Sequence, residues 1–195
     1  MADVGAVTWG NGNTGISGAV SAANSLVGNT LGDEVGGNHV FALSNGNYVV
    51  GSSLWNNGPA TQAGALTWGN GTTGISGAVT AVNSLVGGNT NDHVGEYLSV
   101  QVLSDGSYVV QSKHWRNDAV WPGTNAGAVS WGGGVLPLTG LINGQNSVRG
   151  FVTDGGSTMT YAVDPVNHQL IVGRPAENMV TLFRFPRVYL PLVTR

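Results

Sequence analysis

A segment of eight residues occurs three times in this chain, and the repetition limits the possible folds more than any other feature of the sequence. It reads Gly-Ala-Val-Thr-Trp-Gly-Asn-Gly at 5–12, Gly-Ala-Leu-Thr-Trp-Gly-Asn-Gly at 64–71 and Gly-Ala-Val-Ser-Trp-Gly-Gly-Gly at 127–134. The tryptophans Trp9, Trp68 and Trp131 are therefore 59 and 63 residues apart. Repeats of this length indicate a solenoid, a propeller or another array of similar units.

Two further features recur in the same register. A segment that begins Asn-Ser-Leu or Asn-Ser-Val occupies 24–28, 83–87 and 146–150. An aspartate then follows in each copy, as Asp33, Asp92 and Asp154. The spacing predicts that the whole unit, and not the tryptophan segment alone, is repeated.

The turn Ser44-Asn45-Gly46-Asn47 lies between two β-forming runs, Val40-Phe41-Ala42-Leu43 and Tyr48-Val49-Val50. Asn-Gly between two such runs is the strongest short-range signal for a β-hairpin, because both residues tolerate a positive φ. A second copy surrounds Ser104-Asp105-Gly106-Ser107, and a looser third copy runs from Tyr161 to Gly173. We therefore predict one hairpin in each complete unit.

These patterns predict an all-β protein of the β-propeller type, built from four-stranded antiparallel blades, with three to three and a half blades in the chain. Predicted strands lie at 4–9, 16–28, 39–44, 47–55, 64–69, 75–87, 97–104, 107–115, 127–132, 138–150, 158–163, 169–173, 179–185 and 188–190. Residues 1–195 form a single repeat domain in this interpretation. Its parts are a half blade at 1–36, blades at 37–95 and 96–156, and a partial blade at 157–195.

The order of segments in the second unit resembles the FG-GAP repeat of integrin α-chain β-propellers. The resemblance is carried by Gly32-Asp33-Glu34-Val35-Gly36, the hairpin at 40–52 and Gly64-Ala65-Leu66-Thr67-Trp68. The chain is more closely similar to tandem repeats of large secreted bacterial proteins that share the theme Leu-Ser-Asn-Gly-Asn-Tyr-Val-Val. The resemblance implies a propeller fold and a secreted or cell-surface location, and it implies no particular activity.

Calcium-binding FG-GAP repeats carry several aspartates in the turn that corresponds to 44–47, because calcium requires six to eight oxygen ligands. The turns of this chain offer no carboxylate at 44–47 and only Asp105 at 104–107. The histidines lack the spacing of a metal site and do not share the repeat register; they are His39, His93, His114 and His168. We therefore expect neither a metal ion nor another cofactor.

Composition narrows the classes of partner. Charged residues make up 9% of the chain, and the net charge of −3 combines an acidic first part with basic residues that all follow residue 112. The arginines are dispersed singly and form no basic stripe with interleaved aromatic residues, so nucleic-acid binding is not expected.

No apolar stretch is long enough for a membrane span. Because the chain begins inside a repeat, we expect it to be a piece of a larger protein, and the absence of an export signal is uninformative.

Two sequence patterns resemble parts of enzyme sites but lack the residues that such sites require. The Gly-x-Gly-x-x-Gly segments at 10–15 and 69–74 lack the helix and the acidic residue of a dinucleotide site. Two of the recurring aspartates could form a glycosidase pair, but one acid per unit is better explained by a structural role. An enzyme is therefore the third hypothesis, after two non-catalytic ones.

The tryptophans are the best candidates for ligand binding, because an exposed indole can stack on a sugar ring. Trp121, Trp55 and Trp115 are the residues that we select, although repeated tryptophans more often pack between sheets. The leading hypothesis is a non-enzymatic extracellular repeat domain that acts in adhesion or protein interaction. The alternative is a carbohydrate-binding propeller lectin, and a homo-oligomer could complete the propeller ring.

Overall fold

A computed structural model describes residues 3–37, 39–120, 123–164 and 166–184. The described chain contains 15 short β-strands and two turns of 3-10 helix, at Gly155–Thr158 and Pro175–Glu177. The strands are β1 (Ala6–Val7), β2 (Leu26–Val27), β3 (His39–Ala42), β4 (Tyr48–Ser52), β5 (Ala65–Gly69), β6 (Gly77–Ala78), β7 (Ser84–Val86), β8 (Val100–Val102), β9 (Tyr108–Ser112), β10 (Ala128–Gly132), β11 (Gly140–Leu141), β12 (Ser147–Arg149), β13 (Thr160–Asp164), β14 (Gln169–Arg174) and β15 (Met179–Arg184). Within these residues no helix is long and apolar enough to cross a membrane.

The strands form four small sheets. The first has the order β1-β2-β6, the second β11-β7-β5-β4-β3, the third β12-β10-β9-β8 and the fourth β13-β14-β15. None of them closes on itself within the described part of the chain. Consecutive repeats thus supply consecutive sheets.

Each sheet packs face to face on the next, because side chains alternate between the two faces of a strand. Val50 and Ala65 of the second sheet pack toward the first sheet, in a cluster with Leu26. Their neighbours Val49 and Leu66 pack toward the third sheet. A third cluster joins the third sheet to the fourth; it contains Val109, Val129, Trp131, Val148, Leu170 and Val172. The core therefore consists of three apolar layers between four sheets.

The predicted hairpins are confirmed. Strands β3 and β4 pair antiparallel across the turn at 44–47, and β8 pairs with β9 across the turn at 104–107. Strands β13 and β14 form the third hairpin, which is followed by β15. The predicted strand at 188–190 lies outside the described residues.

The predicted long strands at 16–28, 75–87 and 138–150 are wrong. Each contains a turn in which an asparagine side chain accepts a backbone N–H three residues earlier, as Asn83 does from Thr80. In the segments 75–87 and 138–150 the turn separates two short strands that join different sheets: β6 pairs parallel to β2, and β11 pairs parallel to β7. The second and third repeats therefore each add a short strand to the sheet of the repeat before them.

Because of these added strands, the number and direction of strands in each sheet differ from the prediction. The described sheets have three, five, four and three strands, and two of them contain a parallel pair where four antiparallel strands were predicted. The all-β repeat architecture is confirmed. Closure into a propeller stays a prediction.

Glycines at the ends of β5 and β10 allow a tyrosine ring to cross the sheet. Tyr48 lies opposite Gly69 in the strand register, and Tyr108 lies opposite Gly132. A Cβ atom at Gly132 would be 2.1 Å from the ring of Tyr108, and one at Gly69 would be 2.2 Å from the ring of Tyr48. Only glycine fits at these two positions.

We predict that Gly132→Ala destabilises the protein by about 2 to 3 kcal/mol, because the new methyl group must displace a buried aromatic ring. The matched control is Gly133→Ala, since a Cβ atom there has no neighbour within 4 Å. Denaturant unfolding of the two variants measures the difference. Equal stability of the variants would contradict the packing of Tyr108 on Gly132.

Candidate functional site

The recurring carboxylates lie where one repeat meets the next. Asp33 is fully buried, and its Oδ2 accepts the backbone N–H groups of Asn29 and Thr30 at 2.9 and 2.8 Å. Its Oδ1 accepts the backbone N–H and the side-chain amide of Asn56, at 3.0 and 2.9 Å. The four bonds connect a turn of the first repeat to a loop of the second.

Asp92 repeats the arrangement at the second junction. Its Oδ2 accepts the N–H groups of Gly88 and Asn89 at 2.9 and 2.8 Å, and its Oδ1 accepts the N–H of Arg116 at 2.8 Å. Burial raises the pKa of Asp92 to about 6, and the three N–H donors only partly oppose this rise. The charge of nearby Asp118 raises the pKa slightly further.

At the third junction another residue supplies the carboxylate. The backbone N–H of Asp154 donates to Thr124, as that of Asn91 donates to Thr61, so Asp154 corresponds to Asn91 and not to Asp92. The predicted register of Asp154 is therefore one residue early. Gly155 occupies the position of the aspartate.

Glu177, which lies in the segment that forms the fourth sheet, supplies the hydrogen-bond acceptor that Gly155 cannot provide. Its Oε1 accepts the N–H of Phe151, which corresponds to Asn29 and Gly88 in the earlier repeats. The same carboxylate forms a buried ion pair with Arg174, whose guanidinium also donates to the carbonyl of Arg149 at 3.1 Å. A sequence register based on aspartate alone could not find this residue.

The loops that follow Trp55 and Trp115 complete the first two junctions. Asn57 donates its amide to the carbonyl of Gly87, and Asn117 donates to that of Gly150, at 2.9 and 2.7 Å. The repeated pattern Trp-x-Asn at 55–57 and 115–117 could have identified these two asparagines from the sequence. It predicts a structural loop as readily as a ligand platform.

Trp55 and Trp115 are not exposed in the way that a stacking platform requires. Trp55 and Trp115 belong to the apolar layers and are only 5% and 6% exposed, so neither presents an open ring face. Trp121 lies outside the described residues. Burial explains the recurrence of Trp55 and Trp115 through packing, and whether any of the three binds a ligand stays a prediction.

The ionisable side chains of the described residues do not converge on one centre. Within the described ranges, no group of three or more His, Cys, Asp or Glu side chains could hold a metal ion. The nearest approach to a cluster is Glu96, which lies 3.4 Å from Lys113 and 3.7 Å from His114. His114 in turn meets His93 edge to face at 5.8 Å.

Two grooves of the described surface differ in the charge of their linings. One of about 280 Å³ lies at the end of β1 and has an uncharged lining of Trp9, Ile16, Ala23, Asn24, Thr73, Gly74, Ile75 and Ser76. The other, of about 200 Å³, lies beside Trp115 and includes Arg116 and Arg149. The first groove is therefore neutral, whereas the second contains two arginines and the carboxylate of Asp118.

We predict that Asp92→Ala lowers the free energy of unfolding by about 2 to 4 kcal/mol, because three backbone N–H groups lose their acceptor. The matched control is Asp105→Ala, which removes an exposed carboxylate that bonds only within its own hairpin turn, to Ser107. We expect that control to cost about 1 kcal/mol or less. Chemical denaturation compares the two, and similar losses would contradict the role of Asp92 at the junction.

The raised pKa of Asp92 also leads us to predict that the stability of the protein depends on pH. Its folded-state pKa of about 6 lies above the ordinary value of 3.8, so the protonated form is favoured by folding. The resulting stabilisation is complete below about pH 4 and is lost as the pH rises through 6, a change of about 3 kcal/mol.

The pH dependence is checked by measuring the free energy of unfolding of the wild type and of Asp92→Asn between pH 4 and pH 7.5. The amide does not titrate, so the wild type should lose stability relative to the variant as the pH rises. Parallel pH profiles would contradict a raised pKa at Asp92.

Comparison with known proteins agrees with the internal repetition. No curated protein matches the chain. A family model described as a repeat of unknown function (DUF5650) matches three times, at residues 1–37, 42–96 and 102–156. These matches support a tandem repeat protein and do not single out FG-GAP repeats or propellers. The chain belongs to this family of tandem repeats, DUF5650.

Proposed function

We propose that this chain is a non-catalytic repeat module of an extracellular bacterial protein and acts in adhesion or protein interaction. The observation that carries the proposal is the use of the recurring carboxylates. Asp33 and Asp92 are buried acceptors of backbone N–H groups, so the one acidic position that the first two units share is occupied by structural bonds. The architecture thereby accounts for Asp33 and Asp92, two of the three recurring aspartates that suggested a glycosidase pair.

An exposed loop supports a role in interaction. Leu98 is 82% exposed and has a φ of +66°, and its neighbour Tyr97 is 53% exposed. A leucine rarely adopts this left-handed conformation, which costs about 1 to 2 kcal/mol. Strained backbone that presents apolar side chains to solvent is typical of binding surfaces.

Carbohydrate binding is the second candidate, and the groove beside Trp115 is the observation that favours it. Its lining combines the guanidinium groups of Arg116 and Arg149 with the amide of Asn89 and the apolar side chains of Leu141 and Ile142. Arg116 is partly neutralised by Asp118 at 2.9 Å. A sugar that carries a carboxylate would suit this groove, because arginine binds carboxylates through paired N–H donors.

We predict that the intact chain binds purified extracellular-matrix proteins or mucins in biolayer interferometry, and that Leu98→Asn weakens this binding at least tenfold. Asparagine tolerates a positive φ, so the same variant should gain about 0.5 to 1 kcal/mol of stability. The matched control is Val82→Asn, another exposed apolar residue outside this loop.

Three results decide between the functions. Saturable binding that is sensitive to Leu98→Asn supports the interaction module. Binding only to acidic glycans on an array, with loss in Arg149→Ala, favours the second candidate. Turnover of chromogenic glycosides by the purified chain would overturn both.

A further inference from the structure

We propose that a surface of the third repeat binds an acidic segment of a protein partner, in which a carboxylate side chain lies between apolar residues. The surface consists of Leu141, Arg149, Phe151 and Val152, and we call it the Arg149 surface. The inference rests on the proposed role in protein interaction and names the chemistry of the partner. Three observations support it: the side chains that differ between equivalent positions of the repeats, the unpaired guanidinium of Arg149, and the exposed apolar side chains beside it.

The second and third repeats share the backbone frame at this place but differ at a central side chain. Val86 lies opposite Ala65 in the strand register, and Arg149 lies opposite Ala128 in the same way. Both alanines occupy the second place of the repeated tryptophan segment, so Arg149 corresponds to Val86. Val86 is fully buried in an apolar layer, whereas Arg149 is partly exposed and lines the groove beside Trp115.

Three neighbouring positions also change, each to a larger apolar side chain. Leu141 is the second residue of β11 and corresponds to Ala78, the second residue of β6. Phe151 and Val152 take the places of residues 88–89, which are Gly-Asn in the second repeat. The second repeat forms the same strand pairing with the smaller side chains, so the pairing does not require the larger ones.

The guanidinium of Arg149 has no anionic partner among the described residues. Arg116, in the same groove, lies 2.9 Å from Asp118, and Arg174 is paired with Glu177. Within the described ranges the Arg149 side chain forms neither an ion pair nor a hydrogen bond. Three arginines thus meet two carboxylates here, which leaves one positive charge uncompensated. The planar guanidinium can bind a carboxylate through two parallel N–H groups.

The ring of Phe151 holds this guanidinium without using its N–H donors. The Cζ atom of Arg149 lies 5.7 Å from the centre of the Phe151 ring. A Cβ atom added to Gly144 would lie 3.0 Å from Nη2 of Arg149, so the guanidinium also lies close to that backbone. A cation that stacks on an aromatic ring keeps its N–H groups free, because they lie in the plane of the guanidinium. The arginine is therefore oriented before any ligand binds.

Exposed apolar side chains beside the guanidinium favour a protein segment over a sugar. Leu141, Phe151 and Val152 are 49%, 43% and 40% exposed. A sugar ring needs an open aromatic face to stack on, but Trp115 is almost fully buried and arginine side chains lie over the Phe151 ring. Aliphatic side chains around an unpaired arginine suit a partner that presents a carboxylate together with leucine- or valine-like side chains.

The test uses the full chain and a fluorescein-labelled peptide of four Leu-Glu pairs. The control peptide has four Leu-Gln pairs, which keep the shape and the apolar side chains but carry no charge. We expect saturable binding of the acidic peptide in fluorescence polarisation, and at least tenfold weaker binding of the neutral one, because bonds between charged groups are lost. Added salt should weaken binding of the acidic peptide, since it screens exposed charges.

The decisive variant is Arg149→Gln. It removes the charge and keeps a long polar side chain, so we expect at least tenfold weaker binding of the acidic peptide and a nearly unchanged denaturation midpoint. Leu141→Ser removes an exposed apolar contact instead and should weaken binding at least threefold. The matched control is Arg184→Gln, which removes the same charge from an exposed position on β15 and should bind as the wild type does.

Absence of saturable binding of the acidic peptide, or equal binding by Arg149→Gln and the wild type, would overturn the inference. Binding of oligogalacturonate that depends on Arg149, without binding of the peptide, would also overturn it and favour the acidic-sugar candidate.

Failure of this inference is distinguishable from failure of the proposed function. Leu98 precedes β8, which lies at the opposite edge of the third sheet from β12 and Arg149. Leu98→Asn should therefore bind the acidic peptide as the wild type does. Binding of matrix proteins that depends on Leu98, in a chain that does not bind the peptide, would remove this inference alone.

Discussion

Every small sheet in this protein depends on apolar contact with its neighbours. Strands of two to six residues, in sheets of three to five, bury too little surface to be stable alone. The second and third sheets have an apolar layer on both faces, supplied by alternating residues such as Val49 and Val50. Stability is therefore a property of the stack, as expected for repeats that contact only adjacent repeats.

The apolar layers alone would let the sheets slide, and the polar bonds at the junctions specify their register. Asp33 and Asp92 accept N–H groups from their own turn and from the next repeat, so a shifted stack would leave buried donors without partners. The parallel strands β6 and β11 add a second connection, because through them the second and third repeats complete the sheets of the repeats before them. Glu177 provides a similar carboxylate from a different position, which shows that the geometry of the acceptor matters more than its place in the sequence.

Local signals predicted the local parts of this fold. Asn45-Gly46 predicted its hairpin correctly, since a turn of this kind depends on a few adjacent residues. The tryptophan repeat likewise predicted the central strands β5 and β10. Long-range pairing was not predictable: the segment at 75–87 contains β-branched and alanine residues throughout, and only the bonds of Asn83 show where it turns.

The junction residues show a second limit of sequence reasoning. Asp154 lies one residue short of the offset that separates Trp68 from Trp131, and the three-dimensional alignment places Gly155 at the aspartate position and gives the acceptor role to Glu177. Trp55 and Trp115 recur, which is compatible with a binding platform or with a core position, and only their burial distinguishes the two. A repeated residue indicates that the same contact recurs, but it does not reveal whether the contact is with a ligand or with the next repeat.

The two ends of the stack differ in how far they follow the interior pattern. At the fourth sheet the pattern changes, because Arg174 and Glu177 replace the aspartate and the three strands pair only with one another. At the first sheet Trp9, Gly10 and Gly12 match the interior repeats in sequence. The third junction therefore has a chemistry of its own, in which the side chains of Arg174 and Glu177 supply what one aspartate supplies between the earlier sheets.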